Sequence, residues 1–528
     1  MKKTVSILIC FCIMLCLVSC KSGNDTVNSS QPDSAVLSEN GAENKKSISL
    51  LYSYGDAFDP YTAATAANRQ LSMLLYDCLV KTDNNFNAVY NLAQSAQTVD
   101  RVCTVKLRDA VFTDGTPLTA DDVIYSYNMA KNCQRYSNNF YEVTGVSASD
   151  SKTVVFNLSQ CDPYFVNLLD FPIIKNGTSG LTNADGKKIA PTGCGRYFLS
   201  EDGLSLKLNT NYYGKRGVIE TINLINSPDA ASTSHYVEVG AADIYYTEDG
   251  DIVRMSGKRT DVNLNRLVYI GINSSYDSLQ SREMRYAISS ALDRNAVCAS
   301  AYYNNAEPAS GYYNPYFEPA SVHQTIEKTP NVKITVENLS KIGYNNLNSS
   351  GFYANSSGNN PSFTLLVNSE NASRVSAANL ISDQCKSAGI QINVVQCSYE
   401  QYLNRLSSGD FQLYLGEIQL LDNMDFTNLV VAGGSAAFGV GLENSSVGDT
   451  PEQSGDAVEA PKDSCKQILD AYHKGECGIS DIAGTLLTEM PQIPVCYLNA
   501  VLFYSSDITG GVSASTSDIY LSIENYEF

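Results

Sequence analysis

The sequence predicts an α/β protein built from several lobes. Three observations predict it. Short stretches alternate apolar and polar residues with the period of a half-buried strand. Longer stretches between them place apolar residues at helical spacing, the stripe of a helix packed on one face. The chain is 528 residues long, too long for one hydrophobic core and suited to two or three compact units.

The N-terminus stands apart from these elements. Lys2 and Lys3 precede an apolar run from Val5 to Val18, which is short for a permanent membrane span. A basic start, a short apolar middle and a small residue before the cut describe a secretory signal. The run ends in Leu17-Val18-Ser19-Cys20, the lipobox pattern of bacterial lipoproteins, in which the Cys20 sulfur takes a diacylglycerol. An ordinary signal peptide with a chance Cys is the alternative. Residues 21–46 are rich in Ser, Asn, Gly and Asp and read as a flexible tether. A diacyl group supplies two chains, enough for stable anchoring at the outer face of the cell membrane.

Ordered structure is expected from Ser47. Ile48, Leu50 and Tyr52 alternate with Ser49, Leu51 and Ser53, a strand entering a core. Cys103, Val105 and Leu107 repeat the pattern, as do Val154, Phe156 and Leu158, and Leu204, Leu206 and Leu208. Thr119 followed by Asp122 is a capping-box start, after which Val123, Tyr127 and Ala130 share a helical face. Met284, Ala287, Ile288, Ala291 and Leu292 form a second stripe, and Tyr399, Tyr402, Leu403 and Leu406 a third. Residues 443–463 are acidic and poor in bulky apolar groups, an exposed loop.

Composition narrows the function. Net charge is −20, which argues against nucleic acid and against anionic lipid, since both need basic patches. There are 34 Tyr and no Trp; tyrosine pairs a flat apolar ring with a polar tip and suits a cleft for varied ligands. Of fifteen cysteines, Cys10, Cys12 and Cys16 leave with the signal and Cys20 is lipidated, so eleven remain, scattered without CxxC spacing. They read mainly as small buried hydrophobes, with one or two disulfides left open.

Catalytic and metal motifs are missing from the sequence. His235, His323 and His473 are the three histidines, none in an HExxH motif, so no metal site is expected. GxGxxG, GxxxxGK[ST] and GxSxG do not occur. Thr247-Glu-Asp-Gly-Asp251 lacks calcium-loop spacing and reads as a solvated turn. Neither a cofactor nor an enzymatic activity is expected.

One long run resembles a known family. Leu107-Arg-Asp-Ala-Val-Phe-Thr-Asp-Gly-Thr-Pro-Leu-Thr-Ala-Asp-Asp-Val-Ile-Tyr-Ser126 resembles the signature of the family 5 extracellular solute-binding proteins, the oligopeptide, dipeptide and nickel-binding type. Pro191-Thr-Gly-Cys-Gly-Arg-Tyr197, Leu206-Lys-Leu-Asn-Thr-Asn-Tyr-Tyr213, Gly240-Ala-Ala-Asp-Ile244, Tyr269-Ile-Gly-Ile-Asn273, Arg285-Tyr-Ala-Ile-Ser-Ser-Ala-Leu-Asp-Arg294, Ala388-Gly-Ile-Gln-Ile392 and Ser408-Gly-Asp-Phe-Gln-Leu413 resemble its later landmarks in order. Tyr213 stands where the family usually has Trp.

The resemblance implies a two-lobed, periplasmic-binding-protein-like fold of type II, with an extra subdomain and a ligand cleft between lobes. It implies a signal peptide over 1–19, a lipidated tether over 20–46 and a first-lobe base from 47–82, 190–268 and 500–528. An outer subdomain would span 83–189 and a second lobe 269–499. Hinge closure on the ligand is the mechanism of such folds. The resemblance further implies a monomer that delivers a peptide to the permease subunits of an ABC importer. A metal chelate, a sugar or a ligand-sensing role are alternatives on the same fold.

The sequence departs from the peptide-binding pattern at Gly416-Glu-Ile-Gln-Leu-Leu-Asp-Asn-Met-Asp-Phe-Thr-Asn428. The family's Trp and two Pro are absent there. Glu417, Asp422 and Asp425 remain as candidate partners for a peptide amine, each with a solvated-loop alternative. After the first strand, Tyr54, Phe58 and Asp59 stand where the family places cleft-lining residues. Tyr54 is the preferred ring contact, with core packing the alternative.

Overall fold

The computed structural model describes residues 46–184, 186–248, 257–440 and 464–528. Cys20, the expected signal, the expected tether up to residue 45 and the acidic stretch 443–463 lie outside the described residues. No helix among the described residues is long and apolar enough to cross a membrane.

The chain begins with β1 (Ser47–Tyr52) and α1 (Ala66–Leu75). The Thr65 side chain caps α1 by accepting from the Asn68 N–H, one of the four donors a helix start leaves unpaired. An antiparallel sheet follows from β2 (Ala93–Val99), β3 (Val102–Leu107), β4 (Val143–Asp150) and β5 (Thr153–Leu158), in the order β2-β3-β5-β4. The alternating residues Cys103, Val105, Val154 and Phe156 all face one core, against Val123, Tyr127 and Ala130 of α2 (Ala120–Lys131). The Thr119 N–H donates to Asp122 Oδ2 at 2.9 Å, the expected capping box. Gly115, φ +81°, makes the turn before it, a conformation that favours glycine.

The chain then returns to β1. β6 (Tyr197–Leu199), β7 (Ser205–Leu208) and β8 (Thr221–Asn226) complete a sheet in the order β1-β8-β7-β6, with β1 and β8 parallel. Here one expectation is corrected. Leu206 is buried, but Leu204 is 54 % exposed. Gly203 at φ +72° and the Leu204 N–H bond to Asp202 Oδ1 hold Leu204 in the hairpin turn, ahead of the strand.

The rest is one large sheet with helices on its faces. Its strands are β9 (Ile244–Thr247), β10 (Lys258–Ile272), β11 (Ala306–Pro308), β12 (Ser362–Asn368), β13 (Gln391–Cys397), β14 (Leu413–Gln419) and β15 (Ile493–Tyr504). They run β9-β15-β10-β14-β12-β13, with β11 paired to β15. α3 (Arg282–Ser290) and α4 (Arg294–Ala301) cover one face with α5 (Ala372–Ser387). The stripe from Met284 to Leu292 is buried throughout, but α3 ends at Ser290. Asp293 caps α4 immediately after, accepting from the Ala296 N–H. In α6 (Tyr399–Ser408), Tyr402 and Leu406 are buried while Tyr399 and Leu403 are exposed; the apolar face is narrower than the sequence stripe.

β10 and β15 explain the two-lobed form. Val262 and Leu264 of β10 pack with Ile48, Leu50, Leu502 and Ile519 in one core. Val268, Ile270 and Ile272 of the same strand pack with Met284, Ile381 and Leu413 in another. Between these stretches the β10–β15 register shifts, at Asn263/Arg266. Asn265 sits there with φ +51°, and its Nδ2 donates to Leu421 O at 3.2 Å.

Candidate functional site

Two adjoining cavities lie against the first of these cores, with Tyr76 and Leu264 in the wall of one and Leu50, Ile244 and Ile519 in the wall of the other. The smaller holds about 270 Å³ and the larger about 1010 Å³. Met73, Arg135, Glu248 and Thr516 line both. The larger is walled by the end of β1, by α1, by consecutive residues of β9 and by Ile519 and Tyr520 near the C-terminus. The smaller also meets Leu264 and Arg266 from β10 and Gln419 from β14. Leu264 and Arg266 lie at the β10–β15 register shift.

Charges are arranged in layers. Arg266 Nη2 lies 2.7 Å from Glu248 Oε2, and its Nε 3.7 Å from Glu417 Oε1. Arg374 Nη2 lies 2.6 Å from Glu417 Oε2. Lys81, in the wall of the smaller cavity, is buried between Asp77 and Asp518, each at 2.8 Å. Burial alone would lower the lysine pKa, but the Asp518 and Asp77 charges carry it well above its ordinary value.

Asp170 is a further acid of the smaller cavity. Asn139 Nδ2 donates to its Oδ1 at 3.1 Å. Burial, then the neighbouring Asp422 charge, pushes the Asp170 carboxyl up to about 7. Asp422 accepts from Thr82 Oγ1 at 2.6 Å, and burial pushes it up to about 6. A desolvated carboxylate beside another carboxylate favours an added cation.

None of the five ligand-contact residues expected from the sequence lines either cavity. Tyr54 is 61 % exposed, with Lys187 Nζ 5.0 Å from its ring centroid. Its neighbour Ser53 reaches the larger cavity. Phe58 is half-buried and stacks on Tyr52 with centroids 6.1 Å apart. Glu417 is spent on Arg374 and Arg266. Asp422 stands behind Asp170. Asp425 accepts from Tyr141 Oη at 2.6 Å and from Thr427 Oγ1 at 2.6 Å. Asp59, named with them, is buried and accepts from Ser179 Oγ at 2.6 Å.

Sequence reasoning missed Asp170, Arg135, Glu248 and Arg266. Asp170 left one signal: it is the single charge in the apolar run Phe165-Val-Asn-Leu-Leu-Asp-Phe-Pro-Ile-Ile174. Glu248 fell in a segment read as a solvated turn, and the arginines carried no local signal.

The profile of the bacterial extracellular solute-binding proteins, family 5 Middle, matches residues 87–437. The oligopeptide-binding protein AppA of Bacillus subtilis is 26 % identical over 421 residues, 74 % of this chain and 76 % of its own. The periplasmic murein peptide-binding protein MppA of Escherichia coli is 24 % identical over 425 residues, 72 % of this chain and 76 % of its own. Among solved structures, an ABC transporter substrate-binding protein from Sinorhizobium meliloti superposes with a TM-score of 0.70 at 16 % identity, covering 91 % of this chain and 99 % of that one.

Proposed function

The chain belongs to the bacterial extracellular solute-binding proteins of family 5, and from that premise we propose that it captures short peptides between its lobes and delivers them to the permease subunits of an ABC importer. The observation that carries the peptide reading is the acidic pair at the smaller cavity. Asp170 and Asp422 are desolvated together, and Arg135 at the mouth offsets only part of their charge. A peptide's α-ammonium supplies the missing cation, and a charge-assisted hydrogen bond forms in a site closed to water.

The larger cavity takes the remainder of the ligand. An extended peptide advances about 3.3–3.6 Å per residue. Leu50, Tyr61, Met73, Tyr245 and Tyr246 offer it apolar and aromatic wall, which accepts varied side chains. Tyr54 stands exposed at the rim, and Phe58 backs the same strand end. Glu417 acts indirectly, holding Arg266 and through it Glu248. Asp425 closes the neighbouring lobe contact through Tyr141. The names of AppA and MppA, an oligopeptide-binding and a murein peptide-binding protein, support a peptide ligand.

The proposal includes the anchor. Cys20 carries lipid, residues 20–46 form the tether, and the globular part works at the outer face of the membrane as a monomer. The first lobe comprises 47–82, 190–268 and 500–528 with the outer subdomain 83–189, and the second lobe 269–499. Separate cores in the base, the outer subdomain and the second lobe support a division into three bodies.

The test is calorimetric titration of protein stripped of ligand by unfolding and refolding. A mixed short-peptide library should bind, and N-acetylation should weaken binding by at least about tenfold, the scale of one charge-assisted contact. Equal affinity for free and acetylated peptides would remove the amine assignment. No binding at millimolar peptide would remove the peptide reading.

A further inference from the structure

Glu142, Asp425 and His473 lie far apart in the chain, and none of them lines either cavity. Yet one ligand atom from each falls within 4.8 Å of the other two. Glu142 directly precedes β4. Asp425 follows β14, and His473 follows α7 (Ser464–Tyr472). His473 Nε2 stands 3.7 Å from Asp425 Oδ1.

The surroundings hold these groups in place and leave one atom unmet. Asp425 Oδ1 accepts from the Thr427 N–H at 2.9 Å and from Thr427 Oγ1, while Oδ2 accepts from Tyr141 Oη. Glu142 Oε1 accepts from Gln160 Nε2. Glu142 is 3 % exposed, and its Oε2 is buried without a hydrogen-bond partner. Asp162, also buried, adds a third carboxylate nearby, held by Asn423 Nδ2 at 2.8 Å and the Tyr164 N–H at 2.9 Å. Among the described residues, no lysine or arginine forms an ion pair with Glu142, Asp162 or Asp425. Buried charge without a partner is costly.

We propose that Glu142 Oε2, Asp425 Oδ1 and His473 Nε2 bind a resident divalent transition-metal ion, with zinc the best match. Two carboxylates and an imidazole are zinc ligands, and a fourth position is left for water. Bonds of about 2.1 Å in a tetrahedron place ligand atoms about 3.4 Å apart, close to the His473–Asp425 separation. Calcium and magnesium prefer all-oxygen shells. Tyr141, Thr427 and Gln160 are the outer partners that orient the ligands.

The ion's position gives it a role distinct from cargo. The Glu142 side belongs to the antiparallel sheet β2–β5. Asp425 and His473 belong to segments packed on the large sheet, whose core contains Tyr472 and Phe426. The His473 carbonyl already accepts from the Cys161 N–H at 2.9 Å across this boundary. The ion is therefore a clamp between the two bodies.

The full-length protein, freed of metal with chelator and kept reduced, is titrated with ZnCl2, MnCl2 and CaCl2 while melting is followed. One zinc per chain and a raised melting temperature are expected. Glu142→Gln and His473→Gln should each weaken zinc by about 100-fold or more, the upper scale already reached by outer-shell partners. Glu142→Gln should also leave the metal-free protein folded, because it removes a buried charge. Cobalt(II) should give visible d–d bands without thiolate charge transfer, which separates this site from cysteine ligation. Zinc bound equally by wild type and both variants, a thiolate signature, or a preference for calcium would each overturn the proposal. So would failure of 100 µM zinc to bind or to stabilise the wild type.

Discussion

Tyr414 covers Gly271 across the β10–β14 ladder, so closely that a Cβ at 271 would fall 1.9 Å from Tyr414 Cε1. The pairing is reciprocal, for Tyr269 lies opposite Gly416 and a Cβ there would fall 2.7 Å from its Cζ. The two tyrosine hydroxyls are 3.3 Å apart, and both reach Ala436 O. Each ring fills the space its opposite glycine leaves open, which fixes the strand register beside the lobe boundary.

Gly271→Ala should therefore destabilise the protein by about 1–3 kcal/mol, the usual cost of overpacking a filled core. Tyr414 is fully buried and cannot swing out. Gly55→Ala, where a Cβ meets nothing within 4 Å, should stay within about 0.5 kcal/mol. Urea unfolding of the three proteins checks this.

Capture of a free-amine peptide should tighten as pH rises. The Asp170 and Asp422 carboxyls, pushed up to about 7 and about 6 mainly by burial, are protonated at pH 5 and must ionise to pair with an ammonium. Affinity should gain up to about tenfold per pH unit below those values. Asp170→Asn should flatten the profile. The linked effect on the ligand-free protein has the opposite sign. Its raised folded pKa values mean that stability falls as pH climbs from about 4 through 7.

Asp518 should behave in the reverse way. Burial would raise its pKa, but the Arg196 and Lys81 charges outweigh burial and hold it below the ordinary range. Its stabilisation is present above its unfolded pKa of about 3.9 and is lost as pH falls through the lower folded value. Asp518→Asn leaves two buried cations short of a partner and should cost about 3–5 kcal/mol, seen in urea unfolding at pH 7. The variant should also show a shallower acid limb.

The cysteines should be silent in the native state. Ten cysteines among the described residues, all but Cys465, carry free thiols. Burial pushes Cys385 up to about 12 and Cys103 up to about 11, far from the thiolate that reacts. A thiol reagent should label Cys133, Cys397 and Cys477 first, since these are part-exposed. Reductant should leave the melting temperature unchanged.

The fold was legible because its signals are local. Strand alternation at Ile48, Cys103 and Val154 and the Thr119 cap each depend on neighbours within a few residues, and each is present in the structure. Leu204 failed because a turn outranked the alternation. The cavity was far less legible. Asp170, Glu248 and Arg266 are brought to one wall by three separate passes of the chain, and no spacing in the sequence encodes that meeting. Glu417 looked like an open ligand contact because its two arginines, Arg266 and Arg374, are remote in sequence. Gly271 was visible within a family landmark, but its reason, the ring of Tyr414, was not.

The salt link between Lys81 and Asp518 joins segments 437 residues apart. Ile48, Leu50 and Leu74 likewise share a core with Ile519 and Ile523. The core around β1 thus needs two stretches of chain that are remote in sequence, while the antiparallel sheet β2–β5 is built from residues 93–158. Loops this long are slow to close. The base therefore closes only when contacts of very high sequence separation have formed, which makes it the slow-folding body of the protein.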